Sequence, residues 1–143
     1  MRIAELRIGN IIEAEFPINY PQGYRTYNGI HEILGINSTN KTVLLRISKS
    51  ETKWLSVGKY IKSIELTDEL LLTLRFENKN SSYSIENYKY EFSLFFYDVW
   101  NLYYKEKENY GDAEIELSGY WSIHQLQNLF YALTGEELKL KTT

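Results

Sequence analysis

Residues 121–138 read Trp-Ser-Ile-His-Gln-Leu-Gln-Asn-Leu-Phe-Tyr-Ala-Leu-Thr-Gly-Glu-Glu-Leu and predict an amphipathic helix with both ends encoded. Ser122 and Gln125 have the spacing of a capping box, in which each side chain bonds the other residue's backbone N–H. Gly135 can adopt the left-handed conformation that closes a helix. Apolar residues recur at three- and four-residue steps, at Ile123, Leu126, Phe130 and Leu133. The stretch therefore predicts a helix that packs on a sheet.

The opposite face of this helix carries the polar side chains of His124, Gln127 and Asn128. One interpretation is a solvated, amide-rich face of an ordinary surface helix, because amphipathicity normally reflects packing on one side only. The alternative is a polar recognition surface formed by the same three residues. The sequence leaves both interpretations open.

Three phrases, spread over nearly the whole chain, also carry a family resemblance. They are Glu-Leu-Arg-Ile-Gly-Asn at residues 5–10, Leu-Thr-Asp-Glu at residues 66–69, and the long phrase from His124 to Leu138. In these phrases the chain resembles a family of uncharacterised small proteins from Bacteroidetes-type bacteria and their phages and prophages. It departs from the family at Arg75-Phe76, where relatives often carry Gly-Phe. The resemblance implies an accessory protein of a phage or mobile element and supplies no catalytic residues.

Composition bounds the class of protein. With 143 residues the chain forms one domain, or two very small halves that share a core. It contains no cysteine, which excludes disulfides, thiol catalysis and cysteine-based zinc sites. No apolar run approaches the roughly 18 residues of a membrane span, and no apolar signal segment is present at the N-terminus. We therefore expect a cytoplasmic protein that does not enter the membrane.

The order of the predicted elements indicates an α+β fold. Residues 1–66 contain four or five short strands joined by polar turns, which predicts a β-barrel-like half of the Src-homology-3 type. Residues 67–143 begin with a helix capped by Thr67 and continue with strands that alternate apolar and polar residues. We predict an antiparallel meander of three or four strands there, with two helices packed on one face.

The segment from Phe16 to Asn28 is predicted to be a long loop, because it contains both prolines of the chain. Long loops in small domains are often functional. Its aromatic and cationic side chains suit a ligand that carries a ring or a phosphate. These candidate ligand-binding residues are Tyr20, Tyr24, Arg25 and Tyr27. The alternative is a loop folded over the barrel mouth, with its tyrosines plugging the core.

Charge is distributed unevenly along the chain. Residues 1–65 hold nine Lys and Arg against six Asp and Glu, whereas residues 66–143 hold seven against thirteen. The basic half invites a nucleic-acid interpretation, but the whole chain is acidic and lacks a recognition signature, so nucleic-acid binding is disfavoured. The two histidines, His31 and His124, do not form a metal-ligand spacing, and no nucleophile–base pattern or phosphate loop is present. We therefore predict no metal, no cofactor and no catalytic residues.

These observations lead to three functional hypotheses. The first is a non-enzymatic binding module, assembled as a homo-oligomer, that serves a phage or mobile element. The second is an anti-defence sponge that sequesters a phosphorylated or nucleotide-like signal on the Tyr-rich segment. The third is an enzyme of unrecognised type, which the absence of any catalytic pattern makes the weakest of the three.

Overall fold

The computed structural model describes residues 1–20, 23–108, 112–117 and 121–141, with the side chains at 19, 20, 23, 24 and 112–117 outside the description. The chain divides into two compact units. Unit 1 comprises Met1–Ile64 and Ser122–Leu129, and unit 2 comprises Glu65–Trp121 and Phe130–Thr143. The break between Ile64 and Glu65 lies two residues before the predicted division at 66/67. The first part of the C-terminal helix groups with unit 1.

Unit 1 is built on a five-stranded antiparallel sheet with the strand order β4-β3-β2-β1-β5. Its strands are β1 (Ile11–Tyr20), β2 (Gly23–Asn37), β3 (Thr42–Ser48), β4 (Glu51–Ser56) and β5 (Ile61–Lys62). A single helical turn, α1 (Val57–Tyr60), leads from β4 into β5. Among the described strands the two edges, β4 and β5, do not pair with each other. A closed barrel is therefore not found in this unit.

The core of unit 1 is formed by the inward-facing residues of every long strand. On β3, Val43 and Leu45 are buried while Arg46 is exposed, as expected for a strand with one face on a core. Ile12 of β1 and Leu55 of β4 belong to the same apolar cluster, although two strands separate β1 from β4. The sheet curls, because the Lys53 ammonium of β4 lies 4.5 Å from the Phe16 ring centroid of β1, whereas a flat sheet would hold these two strands about 14 Å apart.

Unit 2 contains a second antiparallel sheet whose five strands follow one another in chain order. They are β6 (Glu77–Asn78), β7 (Tyr83–Glu86), β8 (Tyr90–Tyr97), β9 (Val99–Glu106) and β10 (Asp112–Leu117). The helix α2 (Asp68–Thr73) precedes the sheet, and Thr67 Oγ1 caps it by accepting a hydrogen bond from Leu70 N–H. The helix α3 (Ile123–Thr134) supplies Phe130 and the residues after it. The predicted meander is confirmed and has one strand more than expected.

Aromatic side chains fill the core of unit 2. Phe92 lies at the centre, with ring centroids 5.0 Å from Phe130, 6.1 Å from Phe76 and 6.4 Å from Tyr104. All three contacts are tilted or edge-to-face, which are geometries that aromatic pairs prefer. The alternation predicted from Tyr88 to Phe96 holds at Tyr90, Phe92 and Leu94, which are buried, and fails at its two ends, where Tyr88 and Phe96 are exposed. The α+β class is thus confirmed, with most of the structure in strands.

The prediction of a long loop at Phe16–Asn28 is wrong for residues 16–20 and 23–28, which belong to the paired strands β1 and β2, and its residues 21 and 22 lie outside the described residues. Pro17 lies within β1 opposite Thr26. Proline is normally confined to edge strands, since it cannot donate to a ladder. Strand β5 pairs with β1 only at Glu13 and Ala14, so β2 is the only described neighbour of β1 at Pro17. The missing N–H therefore costs nothing on the open side.

Candidate ligand site on the β1–β2 ribbon

Strands β1 and β2 form a long two-stranded ribbon whose rungs bring the candidate site together. The register places Ile12 opposite His31, Ala14 opposite Gly29, Phe16 opposite Tyr27 and Ile18 opposite Arg25. These four rungs share one face, because every second residue of a strand points to the same side. The face begins at the buried Ile12 and reaches the exposed Arg25. The ribbon thus extends the core face of unit 1 outwards.

Three rings form a ladder along this face. Phe16 and Tyr27 are stacked with centroids 4.7 Å apart, and Tyr27 and His31 are stacked at 5.7 Å. The Tyr27 hydroxyl also lies 2.7 Å from Nε2 of His31, within hydrogen-bonding distance. Phe16 is buried, whereas Tyr27 and His31 are half-buried. The ladder therefore presents aromatic edges at the rim of the core.

Gly29 allows the contact between Tyr27 and His31. It lies between them on the same face, and a Cβ atom there would stand 2.8 Å from the Tyr27 hydroxyl and 2.9 Å from His31 Nε2. Carbon atoms do not approach these groups so closely without displacing them. Any side chain at position 29 would therefore separate the pair. The Tyr-x-Gly-x-His spacing at 27–31 is the sequence signal of this contact.

His31 is half-buried beside Tyr27. Burial lowers the pKa of His31, and a backbone hydrogen bond with Arg46 acts in the opposite direction and raises it. The Tyr27 hydroxyl and His31 Nε2 are within hydrogen-bonding distance of each other, and the tautomer of the imidazole determines which of them donates.

Two cations flank the ladder. The Lys53 ammonium on β4 lies 4.5 Å from the centroid of the Phe16 ring, in cation–π geometry. Arg25 lies one rung beyond Tyr27 and is exposed. Of the four predicted ligand residues, the structure thus brings Tyr27 into the cluster and places Arg25 beside it. The side chains of Tyr20 and Tyr24 lie outside the described residues.

Phe16, His31 and Lys53 are site residues that the sequence analysis missed. Phe16 and His31 were detectable, because residues that alternate along two paired strands share a face once the hairpin is recognised. Lys53 was not detectable, since its place over Phe16 depends on the curl of the sheet between β1 and β4. Together with Arg25 and Tyr27, these residues form what we call the rim site.

The predicted polar face of α3 is largely buried. Its Gln127 is 0% exposed, accepts a hydrogen bond from Ile11 N–H at 2.8 Å and donates to the Gly9 carbonyl at 3.0 Å. Asn128 accepts from Asn10 Nδ2 at 2.9 Å and donates to the Glu5 carbonyl at 2.9 Å. The two amides therefore pair three backbone groups of residues 5–11, namely the Ile11 N–H and the carbonyls of Gly9 and Glu5.

Arg7 adds to the same arrangement, because its Nε donates to Asn128 Oδ1 at 3.0 Å. The opening phrase of the chain is thus bonded to the closing one through what we call the amide clamp. It consists of Arg7, Asn10, Gln127 and Asn128. The interpretation of a solvated face is wrong for Gln127 and His124, because both side chains are buried.

His124 is 2% exposed and accepts or donates one hydrogen bond, between Nδ1 and the Ser122 hydroxyl at 3.0 Å. Its Nε2 has no hydrogen-bond partner within the described part of the chain. Burial lowers the pKa of His124, and the nearby Glu5 carboxylate opposes this effect. The ring is therefore held neutral and acts as a packing residue of unit 1.

No group of three or more His, Cys, Asp or Glu side chains converges as a metal site in the described ranges. No described helix is long and apolar enough to cross a membrane. No protein-family model, curated protein or solved structure matches this chain. The chemistry of the rim site combines stacked rings, a hydroxyl–imidazole pair and two cations.

Proposed function

We propose that the protein is a non-enzymatic binding module that uses the rim site to hold a small anionic ligand with a planar ring. The observation that carries this proposal is the stack of Phe16 and Tyr27 with the Lys53 ammonium over it. Aromatic edges contact a ligand ring in edge-to-face geometry, and an ammonium or guanidinium group beside them binds phosphate. Nucleotide-like signals combine both features.

In biological terms, the protein acts as a sponge that sequesters such a signal inside a bacterial cell. It does so for a phage or mobile element. The excess of basic residues in residues 1–65 supports an anionic ligand there. A homo-oligomeric state belongs to the same proposal and is tested by light scattering after size-exclusion chromatography.

We further propose that unit 1 is a partly open barrel of the Src-homology-3 type. The strand order, in which β5 pairs with the start of β1 after a single helical turn, supports this assignment. The curl of the sheet, which brings Lys53 of β4 to Phe16 of β1, supports it as well. In such a fold the rim site lies at the edge of the curled core face.

The hydroxyl–imidazole pair also favours a second candidate, an enzyme in which His31 takes a proton from Tyr27. A hydroxyl within hydrogen-bonding distance of an imidazole is the pairing found in activated nucleophiles. The variant Tyr27→Phe separates the two functions, since it keeps the stacking ring and removes the reacting oxygen. If Tyr27→Phe still binds the ligand of the rim site, the binding module is supported. If the wild type converts that ligand chemically and Tyr27→Phe does not, the enzyme is supported.

The proposal is tested by ligand carry-over and by titration. Protein purified from bacterial cells is denatured, and the released small molecules are identified by mass spectrometry. Adenosine and guanosine mono- and cyclic phosphates are then titrated calorimetrically.

We expect Lys53→Ala to weaken binding about tenfold, because it removes the ammonium over the ring. The matched control Lys49→Ala removes an exposed lysine of the β3–β4 turn and should bind as wild type. Equal binding by both variants, or none by the wild type, contradicts the proposal.

A further inference from the structure

The turn between β8 and β9 exposes large aromatic side chains. Phe96 is 61% exposed and Tyr97 is 78% exposed. Phe96 is held edge-to-face against Trp100, with ring centroids 5.4 Å apart. Asp98 forms the turn with a positive φ of 61°, a conformation that aspartate tolerates better than most residues. The chain thus fixes an aromatic pair at a surface position where it gains little from burial.

These rings form one wall of an open groove of about 630 Å³ in unit 2. The other wall is the segment that leads into α2, where Glu65, Asp68 and Glu69 are all exposed. That segment is fixed at both ends of its turn, since Leu66 N–H donates to the Trp121 carbonyl and Thr67 caps α2. The groove therefore places three carboxylates opposite two aromatic rings on ordered elements.

This combination selects a cationic occupant. A guanidinium or ammonium group is attracted to the face of Trp or Phe and to carboxylates, and it satisfies both at once. Residues 66–143 hold thirteen acidic against seven basic residues, which adds a long-range attraction for positive charge. Nucleic acid and anionic headgroups are repelled by the same charges. The groove is open to solvent and combines apolar rings with carboxylates, which suits a protein segment with apolar and basic residues.

We propose that this groove docks a basic, extended segment of a partner protein, with an arginine or lysine held between the Phe96–Trp100 pair and the groove carboxylates. Aromatic residues dominate binding energy at such interfaces, and the charges around them give specificity and speed of association. The proposal is independent of the rim site, which lies in unit 1 and selects the opposite charge.

The test uses the full chain and a labelled peptide of alternating glycine and arginine with one central leucine, followed by fluorescence anisotropy. A peptide with glutamine in place of arginine is the charge control. We expect saturable binding of the arginine peptide that weakens as salt is raised, and no binding of the glutamine peptide. Phe96→Ala and Glu69→Gln should each weaken binding about fivefold. Both side chains are exposed, so these variants should fold as wild type.

Tyr88→Ala and Glu77→Gln are the matched controls, because they remove an exposed tyrosine and an exposed carboxylate elsewhere in unit 2. Both should bind the peptide as wild type does. Equal binding of the two peptides, or an equal loss in groove and control variants, overturns the proposal. A self-association that Phe96→Ala abolishes, with no peptide binding, overturns it as well and identifies a second copy of the chain as the occupant.

Discussion

Replacing Gln127 by leucine tests the amide clamp directly. The Gln127 side chain is fully buried, bonds Ile11 N–H and the Gly9 carbonyl, and accepts a weaker bond from Asn10. Leucine fills a similar volume but leaves the two backbone groups without their side-chain partner. A buried polar group left unpaired costs about 1–3 kcal/mol. Because the Gly9 carbonyl is only partly buried, we expect a total loss of about 2–4 kcal/mol in the free energy of unfolding.

The assay is urea denaturation of the whole protein, followed by near-ultraviolet circular dichroism. The variant Gln125→Leu is the control. Gln125 lies on the same helix, is exposed and bonds only Ser122 in the capping box, so its loss should cost about 1 kcal/mol or less. Gln127→Glu adds a second measurement. Its carboxylate still accepts from Ile11 but opposes the Gly9 carbonyl, so its deficit relative to wild type should be smaller at pH 5 than at pH 8. A Gln127→Leu protein as stable as the Gln125→Leu control would refute the clamp.

Three further predictions concern the cores and the histidines. Gly29→Ala should destabilise unit 1 and remove the contact between Tyr27 and His31, which would appear as an altered His31 ring signal in NMR spectra. Phe130→Ala should cost about 3–5 kcal/mol in unit 2, as measured by thermal melting, because its ring packs on Phe92. The pKa values of His31 and His124 are lowered in the folded state, so the folded protein binds fewer protons than the unfolded chain. The contribution of these two histidines to stability is therefore constant above about pH 6.5 and falls below it, and a melting temperature that rises as the pH is lowered from about 7 to about 5.5 would contradict this.

The sequence predicted those elements whose signals are local. The capping residues of α3 lie within four positions of each other, and Ser122 N–H donates to Gln125 Oε1, which is one of the two bonds of a capping box. Gly135 has the expected positive φ of 75°. The alternation along β8 likewise depends on neighbours in sequence. Each of these signals acts over one or two turns of chain, where the backbone alone determines which residues share a face.

The elements that were missed depend on distant partners. Pro17 suggested a loop, and only the short pairing of β5 shows why a strand accepts it. Gln127 had the pattern of a solvated residue, because its partners Gly9 and Ile11 lie more than a hundred positions away. Lys53 reaches Phe16 only because the sheet curls. Spacing along the chain carries no information about such contacts.

The amide clamp has a consequence for how the chain folds as it is synthesised. Ile11 and Gln127 are 116 positions apart, so unit 1 lacks its final hydrogen bonds until the chain has left the ribosome as far as Gln127. Closing so long a loop costs several times the thermal energy, and contacts of this range slow folding. The nascent sheet must meanwhile leave the N–H of Ile11 and the carbonyl of Gly9 to water. Unit 1 can therefore complete its hydrogen bonds only after α3 has been synthesised. A chain that stops before α3 exposes the unfinished sheet of unit 1 to proteases and chaperones.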